Sequence, residues 1–501
     1  MKKAILSSVS SQIIYILVSS IIGLALVPLT INMLGKIEYG AFELILSLIL
    51  IDVFLEFGLG STLIKYIPEH KDDMIELKTF VWSYYYIKLV LTLVSFIGVV
   101  FIGYNFEILF KLDGVKDIES IKISVYLFGV GLFISGTATF LDNFLKGFVY
   151  FGIANSARII SLVMFFLVFY LYYISNEGSS YSIVYIALIW FILKPLFLLM
   201  NITISLIYVK LDFIFKPEKF NYLGIKKSLK YMYAMTYIVM LAQIYNKLPK
   251  IILGILSNPV HVAYWGIMEK VREPLLQLSG SILRPLIPLL SDKNSMKNMK
   301  ENKIIQAMRL QYVFMSFLGV LVIVHIELLI NLWIGCEFKQ VAQIVKITMI
   351  SFIFPSSGVF LMIYYAQGKT KINTIFVTLN SSISLVLATI VFIKTKDMVL
   401  FTLIFSVVVV ILNFFNIMIY SNHFKLNKMK LFKNSFLNVM IITVIYYYIN
   451  SNIKQFFSYD FVGLLFNISV SIVIYIVLFF IFMKKEDKEL VLSLVHRKNL
   501  E

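Results

Sequence analysis

Apolar runs long enough to cross a lipid bilayer recur along the whole chain, separated by short stretches in which charge returns. A membrane-spanning helix needs about 20 predominantly apolar residues, because the hydrocarbon core is about 30 Å thick and a helix rises about 1.5 Å per residue. Segmenting on that length predicts fourteen helices, over residues 9–33, 40–62, 79–103, 120–145, 156–175, 181–208, 231–256, 260–290, 304–330, 340–366, 372–393, 398–420, 434–450 and 461–483. The fold class expected is an all-α integral membrane protein with about 14 transmembrane helices. Composition agrees, since 60% of the 501 residues are hydrophobic and the mean hydropathy is +0.88, well above soluble averages. Lys2 and Lys3 precede the first run, Val9 to Met33, which is too long for a signal-peptide core and lacks a small-x-small cleavage site. A retained first helix is expected.

Charge then gives the topology. The net charge of +17 would point to nucleic acid only on a soluble face, and the chain has no sizeable soluble stretch to carry one. No nucleic-acid partner is expected. With the amino terminus inside, alternation of the spans puts 28 Lys and Arg on inner loops and 7 on outer ones, the other 10 of 45 lying within or at the ends of spans. The positive-inside rule therefore puts both termini in the cytoplasm. The single cysteine, Cys336, excludes an internal disulfide, and five scattered histidines show no metal-binding spacing. No cofactor is expected.

The longest inner loop, with Lys210, Asp212, Lys216, Pro217, Glu218 and Lys219, lies near the chain midpoint. It predicts an N-terminal six-helix lobe over residues 1–211, a cytoplasmic amphipathic linker over 212–230, a C-terminal six-helix lobe over 231–420, and two additional helices with a charged tail over 421–501. A weak internal repeat fits this division. Pro28, Leu34, Tyr39 and Gly40 are echoed by Pro249, Leu256, Tyr264 and Gly266, and Lys146, Gly147 and Asn155 by Gln367, Gly368 and Asn373.

Ionisable residues inside spans cost roughly 2.5–3.5 kcal/mol each on insertion scales and mark pathways or paired networks. They are densest between Tyr245 and Pro288, where Lys247, Lys250, Glu269, Lys270, Arg272, Glu273 and Arg284 fall; Lys88 and Lys194 lie in helices three and six. Glu269, Arg272 and Glu273 share a helix face at i, i+3 and i+4 spacing, so a structural ion-pair network competes with a binding role. Arg284, beside Pro285, either meets substrate at the inner mouth or snorkels. Asp52 and Glu56 lie one turn apart, which suits a proton or sodium site, a lock against Lys88 or another cation, or plain structure. Arg158, Arg309 and Lys346 near span ends are read as interfacial anchors, and Asp142 with Lys146 as a structural pair. Tyr84, Tyr85 and Tyr86 beside Lys88 are candidate sugar-stacking residues.

The segment Pro28 to Pro68, PLTINMLGKIEYGAFELILSLILIDVFLEFGLGSTLIKYIP, carries L-G-x-x-x-Y-G at Leu34 to Gly40, acidic-x-Gly-Leu-Gly at Glu56 to Gly60, and a Lys65-Tyr66 exit. It resembles the polysaccharide-exporter, O-antigen flippase-like branch of the multidrug/oligosaccharidyl-lipid/polysaccharide (MOP) exporter superfamily. The resemblance implies two pseudo-symmetric bundles that move a polyprenyl-diphosphate-linked oligosaccharide from the inner to the outer leaflet of a bacterial plasma membrane by alternating access. On that reading the protein is not an enzyme, and its partners are that lipid, membrane lipids and other polysaccharide-assembly membrane proteins. Arg272, Lys88, Lys194, Lys247, Lys250, Lys270 and Arg284 become candidates for holding the diphosphate, because charge-assisted hydrogen bonds to its oxygens are short and strong. Asp52, Glu56, Glu269 and Glu273 become candidates for gating or for Na+ or H+ coupling. The competing readings are a cation-coupled drug antiporter, which would favour an acidic cavity, and a membrane polymerase or ligase, which would favour a long outer loop with catalytic residues.

Overall fold

The computed structural model describes residues 2–56, 58–70, 73–176, 181–283, 301–354, 357–366, 370–456 and 460–488, and no strand occurs among them. The helices are α1 Lys2–Ser47, α2 Ile49–Leu55, α3 Leu59–His70, α4 Met74–Tyr104, α5 Phe106–Leu109, α6 Ile118–Gly147, α7 Phe151–Ser175, α8 Ile183–Tyr208, α9 Tyr222–Leu256 and α10 Pro259–Leu283. They continue as α11 Glu301–Trp333, α12 Lys339–Ile353, α13 Gly358–Ala366, α14 Thr370–Thr395, α15 Met398–His423, α16 Lys428–Ile453 and α17 Phe461–Phe482. Acidic residues start several of them. Asp73 accepts from the amides of Ile75 and Glu76, Asp397 from Val399 and Leu400, and Asp460 from Gly463, which satisfies donors that have no partner within the helix. Asp117 does the same at α6, and the Ser120 hydroxyl and amide hold its carboxyl below the usual aspartate range. Its contribution is therefore present above that range and lost on acidification through the lowered value.

Ten described helices are long and apolar enough to cross a membrane, eleven if the broken pair Cys336–Ile353 and Gly358–Tyr364, bent by 56°, counts as one span. The chain is a multi-pass membrane protein, but the expected count of fourteen does not emerge by that measure. The first two expected spans share one run, Ser10–Val53. At about 1.5 Å per residue its 44 residues exceed twice the hydrocarbon thickness, and Gly35, at φ 76°, divides it into two arms. The expected span 231–256 and the described part of 260–290 fall on α9 and α10, which are not among the ten, and residues 284–290 lie outside the described residues. These two helices carry the charges that the site below uses.

The expected span 40–62 contains a break. After α2 the chain passes Glu56 and Gly58, at φ 61°, before α3 begins. Any Cβ at Gly58 would press on the Met232 carbonyl and on Met235, so glycine is required there for space as well as for backbone angle. In α8, residues Ile189–Leu193 form a π turn in which Lys194 donates its amide to the Ile189 carbonyl. Pro195, which has no N–H to continue the α-helical ladder, follows directly.

Two compact units divide the chain, Met1–Lys270 and Val271–Glu501. The first packs α4 on α6, α1 on α7, and α6 and α7 on α8, around a core that includes Leu63, Phe80, Tyr84, Phe144, Ala154 and Leu206. The segment Asp212–Phe215 and the residues after it are clipped to α4: the Tyr86 hydroxyl donates to the Glu218 carbonyl at 3.1 Å and the Asn221 amide to Ser83 Oγ at 2.8 Å. The second unit packs α11 against α12, α16 and α17, with α14 and α15 as a hairpin, around Met308, Tyr312, Phe360, Tyr420 and Tyr446. Arg309, expected at an interface, is instead buried and bidentate on Asp487, at 2.6 and 2.7 Å.

Candidate functional site

A cavity of about 500 Å³ opens inside the first unit, a size usual for small-molecule sites. Tyr15, Glu43 and Leu46 from α1, Phe128, Gly131 and Ser135 from α6, Arg158 and Ser161 from α7, Trp190, Phe191 and Lys194 from α8, Lys247 and Lys250 from α9, and Lys270 from α10 line it. The π turn aims Trp190, Phe191 and Lys194 at this space, and such turns recur at functional sites. Gly131 is required opposite them, because a Cβ there would run into the Phe191 carbonyl.

One wall is a buried ion network. Lys250 Nζ donates to Glu43 Oε2 at 2.6 Å and lies 2.9 Å from Glu269 Oε2. Lys247 donates to the same Glu269 oxygen at 3.4 Å, and Lys270 Nζ lies 3.7 Å from Glu43 Oε1. The Tyr39 hydroxyl donates to Glu43 Oε1 at 2.9 Å. Glu43 fits because Gly266 leaves room: its carboxylate carbon comes within 2.8 Å of where a Cβ would be. Gly40 makes the reciprocal approach, with the Pro259 carbonyl filling its Cβ position. Thus the two glycines that the repeat aligns lie at one crossing of α1 with α10. The other oxygen of Glu269, Oε1, is buried with no hydrogen-bond partner among the described residues.

The remaining lining cations are held differently. Lys194 Nζ lies 4.7 Å over the Trp190 ring and 5.2 Å over Phe165, a cation–π contact that solvates charge without neutralising it. Arg158 is bound to Asp142, with Nε donating at 3.0 Å, and Lys146 donates to the same carboxylate at 2.7 Å. Asp142 is fully buried, so this acid fixes Arg158 from behind while the guanidinium lines the cavity. Five cations line the space, and Glu43, Glu269 and Asp142 touch them, Asp142 being shared with Lys146. Lys194 has no paired carboxylate among the described residues and Lys270 is held only loosely, 3.7 Å from Glu43, so the lining is cationic in character and is complemented by an anion.

Of the residues singled out from the sequence, Lys194, Lys247, Lys250 and Lys270 come together here and Glu269 supports them. Lys88 does not join them; it pairs with Asp52 at 3.2 Å, and Glu56 caps the end of α2 one turn on. Arg272, buried, and Glu273 belong to the second unit. Arg284 lies outside the described residues. Among the described residues no group of three or more His, Cys, Asp or Glu is arranged to hold a metal ion. The three adjacent tyrosine hydroxyls are engaged by the protein itself: Tyr84 with Ser228, Tyr85 with Thr137 and Tyr86 with Glu218. Sequence reasoning missed Glu43 and Trp190. Glu43 carried a signal, a single acid in the apolar run Ala41 to Ile51, whereas nothing in the sequence marked Trp190 as a cavity residue rather than a core aromatic.

Residues 5–294 match the profile of a family described as polysaccharide biosynthesis protein. No curated protein matches the chain in sequence. Among solved structures, the lipid II flippase MurJ in an inward closed conformation is similar at TM-score 0.67 and 15% identity, over 97% of this chain and 99% of that one. The eukaryotic MATE transporter AtDTX14 is similar at TM-score 0.59 and 12% identity, over 82% and 94%. A MOP superfamily transporter from Pyrococcus furiosus is similar at TM-score 0.55 and 14% identity, over 84% and 96%. At these identities the likeness establishes the shared fold.

Proposed function

Since this chain belongs to the polysaccharide biosynthesis protein family, we propose that it is a carrier that moves a polyprenyl-diphosphate-linked oligosaccharide from the inner to the outer leaflet of a bacterial plasma membrane by alternating access. Both termini are cytoplasmic on this reading, and other polysaccharide-assembly membrane proteins supply and receive the lipid. The observation that carries the proposal is the cationic lining of the cavity. A diphosphate diester brings about two negative charges that cannot cross hydrocarbon bare, and Lys194, Lys247, Lys270 and Arg158 converge on one space where its oxygens would be met. The aromatic wall beside them offers Trp190 to the adjoining sugar. A cation-exporting antiporter would need the opposite sign. The MATE neighbour shares the fold, but the charge of this cavity favours an anionic cargo. Asp52, Glu56 and Lys88 form a separate group in which a bound proton or Na+ would compete with the Lys88 pair, and we assign coupling there.

The test is mass spectrometry of membrane lipids from cells depleted of the protein. A complete polyprenyl-diphosphate oligosaccharide should accumulate. Wild type should clear it, and K194Q/K270Q, present at equal abundance in the membrane, should not. An unchanged lipid pool would overturn the proposal in favour of export of another compound, and incomplete glycan would point to an enzyme.

A further inference from the structure

We propose that Glu43 is a resident counter-anion that competes with the cargo for Lys270, and that binding proceeds by exchange of this partner. The inference rests on the anionic reading of the cavity. Its basis is the unequal grip of the network on its three lysines. Lys250 is nearly sealed, 3% exposed at its side chain, and lies between two carboxylates at 2.6 and 2.9 Å. Its departure would leave Glu269 to Lys247 at 3.4 Å and Glu43 to Lys270 at 3.7 Å, both weaker contacts. Lys270 is 29% exposed, stands 3.7 Å from Glu43, and leans toward the Trp190 ring at 5.9 Å. It is the arm that can swing into the cavity.

Departure of Lys270 leaves no buried charge orphaned. Glu43 retains Lys250 and the Tyr39 hydroxyl, so the wall survives the exchange with its hydrogen bonds intact. The consequence is a ceiling on affinity. An anion that binds Lys270 must displace Glu43, and the returning carboxylate helps to expel the anion. A carrier needs this, because a site that only attracts its cargo cannot release it on the far side. The close approach of Gly266 fixes the carboxylate in reach of both lysines. It makes Glu43 a positioning residue whose effect runs through Lys270.

The experiment is equilibrium binding of radiolabelled inorganic diphosphate to the purified full chain, in wild type, E43Q, K270Q and E43Q/K270Q. Pairs that share a network couple by about twofold to more than a hundredfold, so E43Q should tighten binding by at least about threefold when Lys270 is present and leave it unchanged in K270Q. E43D is the companion variant, since it keeps the negative charge of the wall while drawing the carboxylate back by one methylene, which lengthens an approach to Lys270 that is already 3.7 Å; it should also tighten binding. Equal tightening by E43Q with and without Lys270, or no change in E43D, would reduce Glu43 to background charge and overturn the exchange. Failure of wild type to bind diphosphate would instead overturn the anionic reading of the cavity, and the exchange with it.

Discussion

Lys250→Met is expected to be among the most destabilising single changes in the first unit, by about 3–5 kcal/mol. The side chains of Lys250, Glu43 and Glu269 are all at most 3% exposed, so the change removes the ammonium that both carboxylates share and leaves two negative charges in a medium that cannot solvate them. Lys247 and Lys270 relieve this only in part, at 3.4 and 3.7 Å. Against a total stability on the order of 5–15 kcal/mol the loss would be large. Lys194→Met makes the contrast. That ammonium rests on aromatic rings with no carboxylate paired to it among the described residues, so its loss should cost about 1 kcal/mol or less. Thermal unfolding of the two variants in detergent checks the difference. Equal melting temperatures would mean that the ion network does not hold the unit together.

The second large effect is expected in the other unit. Asp487→Ala should cost a further about 3–5 kcal/mol by stranding Arg309, whose guanidinium would retain the Asn434 carbonyl at 3.1 Å and lose both carboxylate oxygens. Because Asp487 lies beyond α17 and Arg309 lies on α11, this pair ties the chain after Phe482 to the core of the unit. Limited trypsin digestion should therefore cut D487A at Lys484 and Lys485 much faster than wild type. The double variant R309L/D487L should recover most of the thermal stability, since replacing a whole buried pair by apolar groups is often neutral or better. Slow cleavage of D487A at the wild-type rate would show that apolar contacts alone hold this segment.

Much of the fold was legible because bilayer length imposes a strong period on the sequence. Residues 120–145, 398–420 and 461–483 were expected as helices and form Ile118–Gly147, Met398–His423 and Phe461–Phe482. Breaks within apolar runs were not legible. Glu56 and Gly58 interrupt a stretch that bilayer length reads as one span, and the left-handed angle at Gly58 and its contact with α9 reveal the turn. Half the site was legible for a related reason: a lysine inside an apolar run is costly enough to be noticed one residue at a time. Partnership was legible only in part: Lys88 with Asp52 stood among the alternatives and Asp142 with Lys146 was expected, but contacts between distant helices were not. Lys88 and Lys194 look alike along the chain, yet one is paired with Asp52 and the other lies over Trp190. Arg309 and Arg158 both looked like interfacial anchors, and their acids are 178 and 16 residues away. Such pairs follow from packing between helices, which no local period encodes.

On this reading a lipid diphosphate crosses the bilayer through the cavity of the first unit. The most direct measurement of that crossing is leaflet assignment in proteoliposomes that contain the purified full chain and a polyprenyl-diphosphate oligosaccharide, with a membrane-impermeant hydrolase reporting headgroups on the outer face. Wild type should expose the inner pool to the hydrolase, and K194Q/K270Q should leave it protected. Protection equal to that of protein-free vesicles with wild type, or equal exposure with both proteins, would contradict the account.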